Sequence, residues 1–363
     1  MIPKILFTLG LGSSVVLLMG AAPQIPQRSS PPIKVNVVLV QLNVAVTDKK
    51  GHYISGLKPE NFAIYEDKIP EKIASFEEGD QSGRRIINLA GGNPAGDVDA
   101  AKSEAANTAV SQDPSMPGAN VFILFDTSNY MYRGFVFAQD AIAGFVRSMT
   151  GPDKIAFYSY SRDLSRGTML TGDRPRILNA VRSSVAGDDA ALYNCLLMTV
   201  QDAAPLRGRK AIVVFSNGPD NASSVPPEDV EELAQSTGTI IYIISTHVAE
   251  QESVSEAVFE RMSKATGGKA YFAKNWEDEG RAFASIHEDL SHLYTLSYYP
   301  RANSNHGWRR ITVRLVGPGL QKYHVRTRDG YRLLEQPTPL TEAVSAEHTG
   351  DRGPTIAADP GHR

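Results

Sequence analysis

Three oxygen-bearing side chains stand at alternate positions in the segment FDTSNYM, residues 125–131. Asp126, Ser128 and Tyr130 follow the apolar run NVFIL, which predicts that they come directly after a buried strand. Carboxylate and hydroxyl oxygens are the ligands that Mg²⁺ takes from proteins. The spacing therefore indicates a cation site in which a tyrosine replaces one short ligand. The alternative role for Asp126 is to cap backbone N–H groups at the start of the next helix.

Strands and helices alternate from Asn120 to Leu293. The runs NVFILFD, KIAFYSYS, KAIVVFSN and TIIYIIST predict buried strands, and KAYFAK predicts an edge strand. The segments between them predict helices, several with Pro near the start or Gly at the end. Strands this apolar, each followed by a helix, predict an α/β fold: a doubly wound, mainly parallel sheet over residues 119–293.

Ligands of doubly wound sheets bind beyond the carboxyl ends of the strands. FDTSNYM follows the first strand of this region, and FSNGPDN, residues 215–221, follows a middle strand. Both segments are therefore predicted to lie at the same edge of the sheet.

The chain on either side of this region alternates apolar and polar residues with a period of two. Residues 33–78 predict a small β unit, in which AIYED and KIASF form a strand pair around Asp67 and Lys68. Residues 294–334 predict two or three further antiparallel strands. Because each segment alone has too few strands to be stable, we predict that they pack together as one small antiparallel β-sandwich.

Three segments carry no pattern of a packed core. Residues 1–22 predict a secretory signal peptide, with Lys4 before an apolar run and small residues after it; an uncleaved membrane anchor is the alternative. Residues 79–118 predict a linker with one short strand at RRIINL, and residues 335–363 predict a disordered tail. The mature protein is thus expected outside the cytoplasm, periplasmic or secreted, and free of the membrane.

Charge and cysteine content narrow the possible partners. The formal net charge is −3 and Lys and Arg form no cluster, so the sequence predicts no nucleic-acid partner. Cys195 is the only cysteine, which excludes an intramolecular disulfide, and its apolar surroundings predict a buried thiol.

The order of the motifs resembles a known family. NVFILFDTSNYM, DDAALYNCL and KAIVVFSNGPDN are similar, in that order, to the three site segments of a von Willebrand factor type A domain. The flanking segments VAVTDKKGHYISGLKPENFAIYED, LYTLSYYP, GWRRITVRL and YHVRTRDGY resemble the bacterial proteins called VWFA-related, common in Acidobacteria. The resemblance covers nearly the whole mature chain and implies a metal-ion-dependent adhesion site made of D-x-S-x-S, a Thr and an Asp.

Carried over position by position, that site is degenerate in this chain. Asp126 and Ser128 match the first two ligands, whereas Tyr130, Ala190 and Asn217 stand at the positions of a Ser, the Thr and the Asp. The methyl group of Ala190 offers no oxygen to a cation. Asn217 lacks the negative charge of an Asp, and the attraction between that charge and a cation at about 4 Å, with an effective dielectric near 20, is worth about 4 kcal/mol before solvent compensation. The sequence therefore predicts no bound cofactor; a Mg²⁺ ion held through Asp126, Ser128 and Asn217 is the alternative.

Neighbouring carboxylates could replace the missing ligands. Asp188, Asp189 and Asp220 stand beside the degenerate positions, and their alternative role is to fix turns in polar loops.

The resulting prediction is a non-enzymatic module that binds another protein through this edge. The partner-binding residues are predicted to be Tyr130, Tyr132, Asp188, Asp189, Asn217, Pro219 and Asp220. A conventional Mg²⁺-dependent adhesion protein and a hydrolase using the carboxylates of this edge together with His247 are the alternatives. The hydrolase lacks a recognisable nucleophile and base, and His287 and His292 are five residues apart, about 140° around a helix, which does not suit one zinc ion.

Overall fold

The computed structural model describes residues 39–79, 118–132, 134–149, 153–245 and 253–333. The predicted signal peptide and tail, the RRIINL strand, almost all of the linker, and His247 lie outside these residues. Within the described ranges, no helix has the length and apolar character needed to cross a membrane.

The described residues form fourteen strands and six α-helices. The strands are β1 (Val40–Thr47), β2 (Phe62–Glu66), β3 (Ile69–Glu71), β4 (Ile73–Glu78), β5 (Ala119–Asp126), β6 (Lys154–Tyr160), β7 (Leu164–Thr171), β8 (Arg209–Ser216), β9 (Ile240–Ser245), β10 (Ala270–Phe272), β11 (Tyr294–Tyr298), β12 (Trp308–Leu315), β13 (His324–Arg326) and β14 (Gly330–Arg332). The helices are α1 (Phe135–Ser148), α2 (Arg174–Arg182), α3 (Leu192–Ala203), α4 (Pro227–Thr237), α5 (Ser253–Thr266) and α6 (Trp276–His292).

A six-stranded sheet in the order β10-β9-β8-β5-β6-β7 forms the centre of the α/β region. All neighbouring strands are parallel except β7, which is antiparallel to β6. Apolar side chains of α1, α2 and α6 pack on one face, and those of α3, α4 and α5 pack on the other. The predicted doubly wound fold is confirmed, and Cys195 is buried in α3, where burial raises the pKa of its thiol to about 12.

Strand β7 departs from the alternation of strands and helices in this region, because it follows β6 directly, with no helix between them, and pairs with it antiparallel. Its segment LSRGTMLT has one fully buried side chain, Thr168, and most of the others face solvent. Because an edge strand needs no continuous apolar run, the segment carries no strong strand signal in the sequence.

Two four-stranded antiparallel sheets come from the chain before and after the α/β region. Their orders are β13-β1-β11-β4 and β14-β12-β2-β3. Each sheet therefore contains two strands from each segment; the segments alternate in the first sheet and meet at the β12–β2 pair in the second. Leu42 pairs with Leu296 in the first sheet, and Ile64 pairs with Val313 in the second. Their apolar side chains form one shared core, which confirms the predicted sandwich.

The pairing of AIYED with KIASF is wrong. The turn at Asp67 and Lys68, both with positive φ, joins β2 to the short strand β3, whereas β4 lies in the other sheet beside β11. The carboxylate of Asp67 accepts hydrogen bonds from the side chains of Asn303 and Asn305. These contacts, distant in sequence, stabilise the tight β2–β3 turn. KIASF therefore does not pair with AIYED but enters the other sheet as part of β4.

Helix α6 contains a carboxyl group that is poorly accommodated. Glu279 is buried, and its Oε2 has no hydrogen-bond partner among the described residues. Burial raises the pKa of Glu279 from 4.5 to about 7. Because the folded state keeps this proton to a higher pH than the unfolded chain does, the free energy of unfolding falls as the pH rises from about 4.5 to about 7.

Replacement of Glu279 with Gln should remove this penalty. We expect Glu279→Gln to raise the free energy of unfolding by up to about 3 kcal/mol at pH 8 and by much less at pH 5. Urea unfolding at both pH values measures the difference. Glu277→Gln, an exposed position on the same helix, is the control and should change stability by less than about 0.5 kcal/mol at either pH. Equal effects of Glu279→Gln at pH 5 and pH 8 would contradict the assignment.

Candidate functional site

Three loops meet at the carboxyl ends of β5 and β8 and form the surface that we call the rim, residues 126–132, 187–191 and 216–221. The Gly187 N–H donates to the Thr127 carbonyl at 2.7 Å, and the Asn129 N–H donates to the Asp188 carbonyl at 2.8 Å. A Cβ on Gly187 would lie 2.4 Å from Ser161 Oγ, so only glycine allows this approach. The structure therefore brings the three segments singled out in the sequence together.

Asp126 lies at the end of β5 and is fully buried. Its Oδ1 accepts a hydrogen bond from the Ser128 N–H at 2.9 Å, and its Oδ2 accepts one from Ser216 Oγ at 2.7 Å. The Tyr160 hydroxyl donates to Ser216 Oγ at 3.0 Å, which extends the network. Burial raises the pKa of Asp126, although these donors oppose the shift. Both carboxylate oxygens are thus engaged inside the protein.

Ser128 differs from Ser216 in how its hydroxyl is used. It is 1% exposed, and its Oγ has no hydrogen-bond partner among the described residues. A buried hydroxyl without a partner costs free energy unless a ligand or water satisfies it. Because it lies beside Asp126, the Ser128 hydroxyl is the rim group best placed to bind a water molecule or a ligand.

The two serines make a matched pair of substitutions. Ser216→Ala should lower the free energy of unfolding by about 2 kcal/mol, because it removes the hydroxyl between Asp126 and Tyr160. Ser128→Ala should change it by less than about 1 kcal/mol, because its hydroxyl lies beside the Asp126 carboxylate without a hydrogen bond of normal geometry. Urea unfolding in EDTA and in millimolar Mg²⁺ measures both. If Mg²⁺ stabilised the unmodified protein but not Ser128→Ala, this hydroxyl would be shown to bind the cation.

The second and third loops of the rim are fixed by side chains bound to backbone groups. Asp220 accepts hydrogen bonds from the N–H groups of Tyr193, in the first turn of α3, and Ser223. The Asn221 side chain accepts from the Ala190 N–H at 2.8 Å and donates to Asp189 at 3.3 Å. Asp220 and Asp189 therefore take part in loop structure, whereas the side chain of Asp188 is exposed.

The first loop presents two tyrosines to solvent. Met131 is fully buried in a short 3₁₀ turn, and its neighbours Tyr130 and Tyr132 are 41% and 77% exposed. The Asn217 side-chain amide donates to the Tyr130 carbonyl and so joins this loop to β8. Pro219 is half-buried in the third loop. The two tyrosine rings thus project from a turn that is held in place by the buried side chain of Met131 and by the hydrogen bond from Asn217.

The donor set of the rim does not fit a Mg²⁺ ion held as the resemblance implies. Mg²⁺ takes about six oxygens in a tight octahedron. Ala190 supplies none, both oxygens of Asp126 accept hydrogen bonds within the protein, and Asn217 uses its amide nitrogen toward Tyr130. Among the described residues, no group of three or more His, Cys, Asp or Glu side chains is arranged to hold a metal ion.

Sequence reasoning did not find Ser216 or Tyr160. Both are polar residues at the carboxyl ends of otherwise apolar strands, which is the position that doubly wound sheets use for ligands, and this was the available signal. The two histidines of HEDLSH lie apart from the rim: His287 Nδ1 lies 3.3 Å from Met149 Sδ, and the His292 ring stacks on Tyr53.

No protein-family model matches the sequence, and no curated protein is significantly similar to it. Solved structures similar to it include an aerotolerance-related membrane protein from Bacteroides fragilis, at 17% identity over 48% of this chain and 98% of that one, with a TM-score of 0.40. A von Willebrand factor type A structure from Catenulispora acidiphila is 11% identical over 60% and 68% of the two chains, with a TM-score of 0.40. The von Willebrand factor domain of a pili tip protein from Porphyromonas gingivalis is 13% identical over 48% and 95%, with a TM-score of 0.39.

These values support no inference about function, so the assignment of the fold depends on the chain itself. The strand order is that of a doubly wound sheet with one antiparallel edge strand, and the three motif-bearing loops lie at the carboxyl ends of its strands. The chain therefore has a doubly wound α/β fold with a mainly parallel sheet, joined to a β-sandwich built from the segments on either side.

Proposed function

We propose that this protein is a non-enzymatic interaction module that binds another protein through the rim. The observation that carries the proposal is the pair of exposed tyrosines on an anchored turn: Met131 fixes the turn below, and Tyr130 and Tyr132 project from it. Tyrosine supplies a large contact area at low conformational-entropy cost and is enriched among the residues that dominate binding energy. The exposed carboxylate of Asp188 adds a polar contact beside them.

The proposal includes recognition without a bridging metal ion. In this view Asp126 is a structural acid whose hydrogen bonds to Ser216 and the Ser128 N–H hold the β5 and β8 loops together. The partner then contacts aromatic rings and loop amides instead of completing a coordination sphere. The predicted signal peptide supports a location outside the cytoplasm, where adhesion to another protein or surface is a common task.

A Mg²⁺-dependent adhesion protein is the second candidate, and the unsatisfied hydroxyl of Ser128 favours it. Calorimetry with Mg²⁺ and Mn²⁺ on the mature protein separates the two. We expect no binding isotherm below millimolar concentration. A 1:1 isotherm that Asp126→Ala abolishes would replace the first proposal with the second.

The rim itself is tested by capture of a binding partner from the native host with the immobilised mature protein. A specific partner should remain bound in EDTA and should be lost with Tyr130→Ala/Tyr132→Ala, with affinity falling at least about tenfold. Tyr299→Ala is the matched control, because Tyr299 is also exposed, at 47%, and lies beyond β11 in the sandwich. A partner that is retained by the double variant, or released by EDTA and restored by Mg²⁺, would contradict the proposal.

A further inference from the structure

A groove of about 500 Å³ runs between α1 and α6 on the outer side of the α/β region. Phe137 and Trp276 form its walls, and their side chains are 62% and 66% exposed. Phe145 and Phe283, both buried, also line the groove, and so do the exposed Gly144 and Gly280, where an added Cβ would meet no atom within 4 Å. Two large exposed aromatic side chains beside an open groove are typical of a surface that another segment covers.

Both ends of the segment of residues 80–117 lie at the carboxyl ends of the two helices that form this groove. The Gly79 N–H donates to the carbonyl of Leu293, just after α6. The Ala119 N–H donates to Asp153 Oδ1, and Arg174 binds the carbonyls of both Asp153 and Met149, which follows α1. The segment thus leaves and returns to the structure beside the groove.

The most concentrated apolar stretch of this segment follows its start closely. Ile86, Ile87 and Leu89 stand seven to ten residues after Gly79, and Arg84 and Arg85 precede them. Seven extended residues span about 24 Å, whereas the eleven residues of α6 between Ser291 and Gly280 rise about 16 Å, so the stretch can reach the groove. The exposed Glu288 and the carboxyl end of α6 lie on its way and suit the two arginines.

We propose that residues 86–89 of the same chain occupy the groove between α1 and α6. Ile86, Ile87 and Leu89 pack against Phe137 and Trp276, and the two arginines lie beside Glu288. The proposal is independent of the rim and of its metal state, because none of these residues belongs to the rim.

Trp276 reports on the occupation of the groove. The chain has two tryptophans, so Trp308→Phe leaves Trp276 as the only fluorophore of this kind. In this background we expect Ile86→Ser/Ile87→Ser/Leu89→Ser to make Trp276 about threefold more accessible to acrylamide quenching. A groove buries most of the surface of an apolar segment bound in it, and the side chains that contact this segment are covered in turn. Val98→Ser/Val110→Ser, in the same segment, is the control and should leave quenching unchanged. Unchanged quenching in the triple variant would overturn the proposal.

Two further measurements distinguish this occupant from others. Ile87→Cys with Ala284→Cys, at the groove, should form an intramolecular disulfide under mild oxidation, and Ile87→Cys with Thr312→Cys, in the sandwich, should not. Equal cross-linking of both pairs would contradict the proposal. Protection of Trp276 that rises with protein concentration, together with a dimer in light scattering, would show that a second copy fills the groove and would likewise overturn it.

Discussion

Replacement of Asp289 with alanine is expected to lower the free energy of unfolding by about 4 kcal/mol, the loss typical of removing one partner from a buried ion pair. Asp289 lies on α6 and is fully buried. Its carboxylate accepts hydrogen bonds from the hydroxyls of Tyr53 at 2.7 Å and Tyr242 at 2.6 Å, and from the Arg326 guanidinium on both oxygens. Without Asp289, the charge of Arg326 would stay in a largely buried place with no carboxylate.

The contacts of Asp289 connect the two halves of the molecule. Tyr53 follows β1 and Arg326 belongs to β13, both in the sandwich, whereas Tyr242 lies in β9 of the central sheet. Burial by itself raises the pKa of Asp289, but the charges of Arg326 and Lys269 outweigh it and hold that pKa below 3.8. The stabilisation is therefore complete above about pH 4 and is lost as the pH falls below that value.

Urea unfolding at pH 7 measures the effect, and two variants interpret it. Asp140→Ala breaks an exposed pair with Arg182 at 2.7 Å and should cost less than about 1 kcal/mol. Asp289→Leu/Arg326→Leu should recover part of the loss, because it leaves no unpaired buried charge. A loss below about 1 kcal/mol for Asp289→Ala would show that this network does not stabilise the contact between sandwich and sheet.

The burial of Asp289 could be predicted from the sequence, but its partners could not. It stands on the same helical face as Ile286, Leu290 and Leu293, and an acidic residue within an apolar stripe indicates a buried, paired charge. The two histidines of HEDLSH are more conspicuous, yet the buried charged residue of this segment is the aspartate between them. Its hydrogen-bond partners lie 37 to 236 residues away, so the pattern can indicate that a partner exists without identifying it.

The central sheet was predictable because its strands are buried on both faces and therefore read as continuous apolar runs. The sandwich was predictable from two half-exposed β segments that are too small to be stable alone. Strand β7 and the β2–β3 hairpin were not, because a solvent-facing edge strand and a turn held by Asn303 and Asn305 depend on the assembled fold. The rim loops could be placed at one edge of the sheet from the sequence. The hydrogen bond from Ser216 to Asp126 could not be predicted, because it too depends on the assembled fold.

The rim also yields the second large expected effect, a gain of metal binding. Tyr130→Ser/Ala190→Thr/Asn217→Asp would supply two short hydroxyls and one carboxylate beside Asp126 and Ser128. At roughly tenfold for each restored ligand, we expect the affinity for Mg²⁺ to rise about a thousandfold over that of the unmodified protein. Calorimetry measures the affinity. Thermal unfolding should show a concentration-dependent rise in Tm with Mg²⁺ for the triple variant alone.

Controls in this background separate coordination from misfolding. Ala190 is fully buried, so the larger threonine should cost about 1–3 kcal/mol, which unfolding in EDTA measures directly. Adding Asp126→Ala to the triple variant should abolish the Mg²⁺ isotherm. Adding Ser128→Ala should weaken it, because the hydroxyl that now lacks a partner would become a ligand.

Either result locates the physical cause of the degenerate site. If the triple variant binds Mg²⁺ tightly, the backbone of the rim retains a geometry suited to a cation, and three side chains account for its loss. If a folded triple variant does not bind, the cause is the hydrogen bond from Ser216 to the buried Asp126, which keeps one carboxylate oxygen turned inward. Adding Ser216→Ala to the triple variant would then release that oxygen, and an isotherm that appears only in this fourfold variant would establish the closure of Asp126 as the decisive difference.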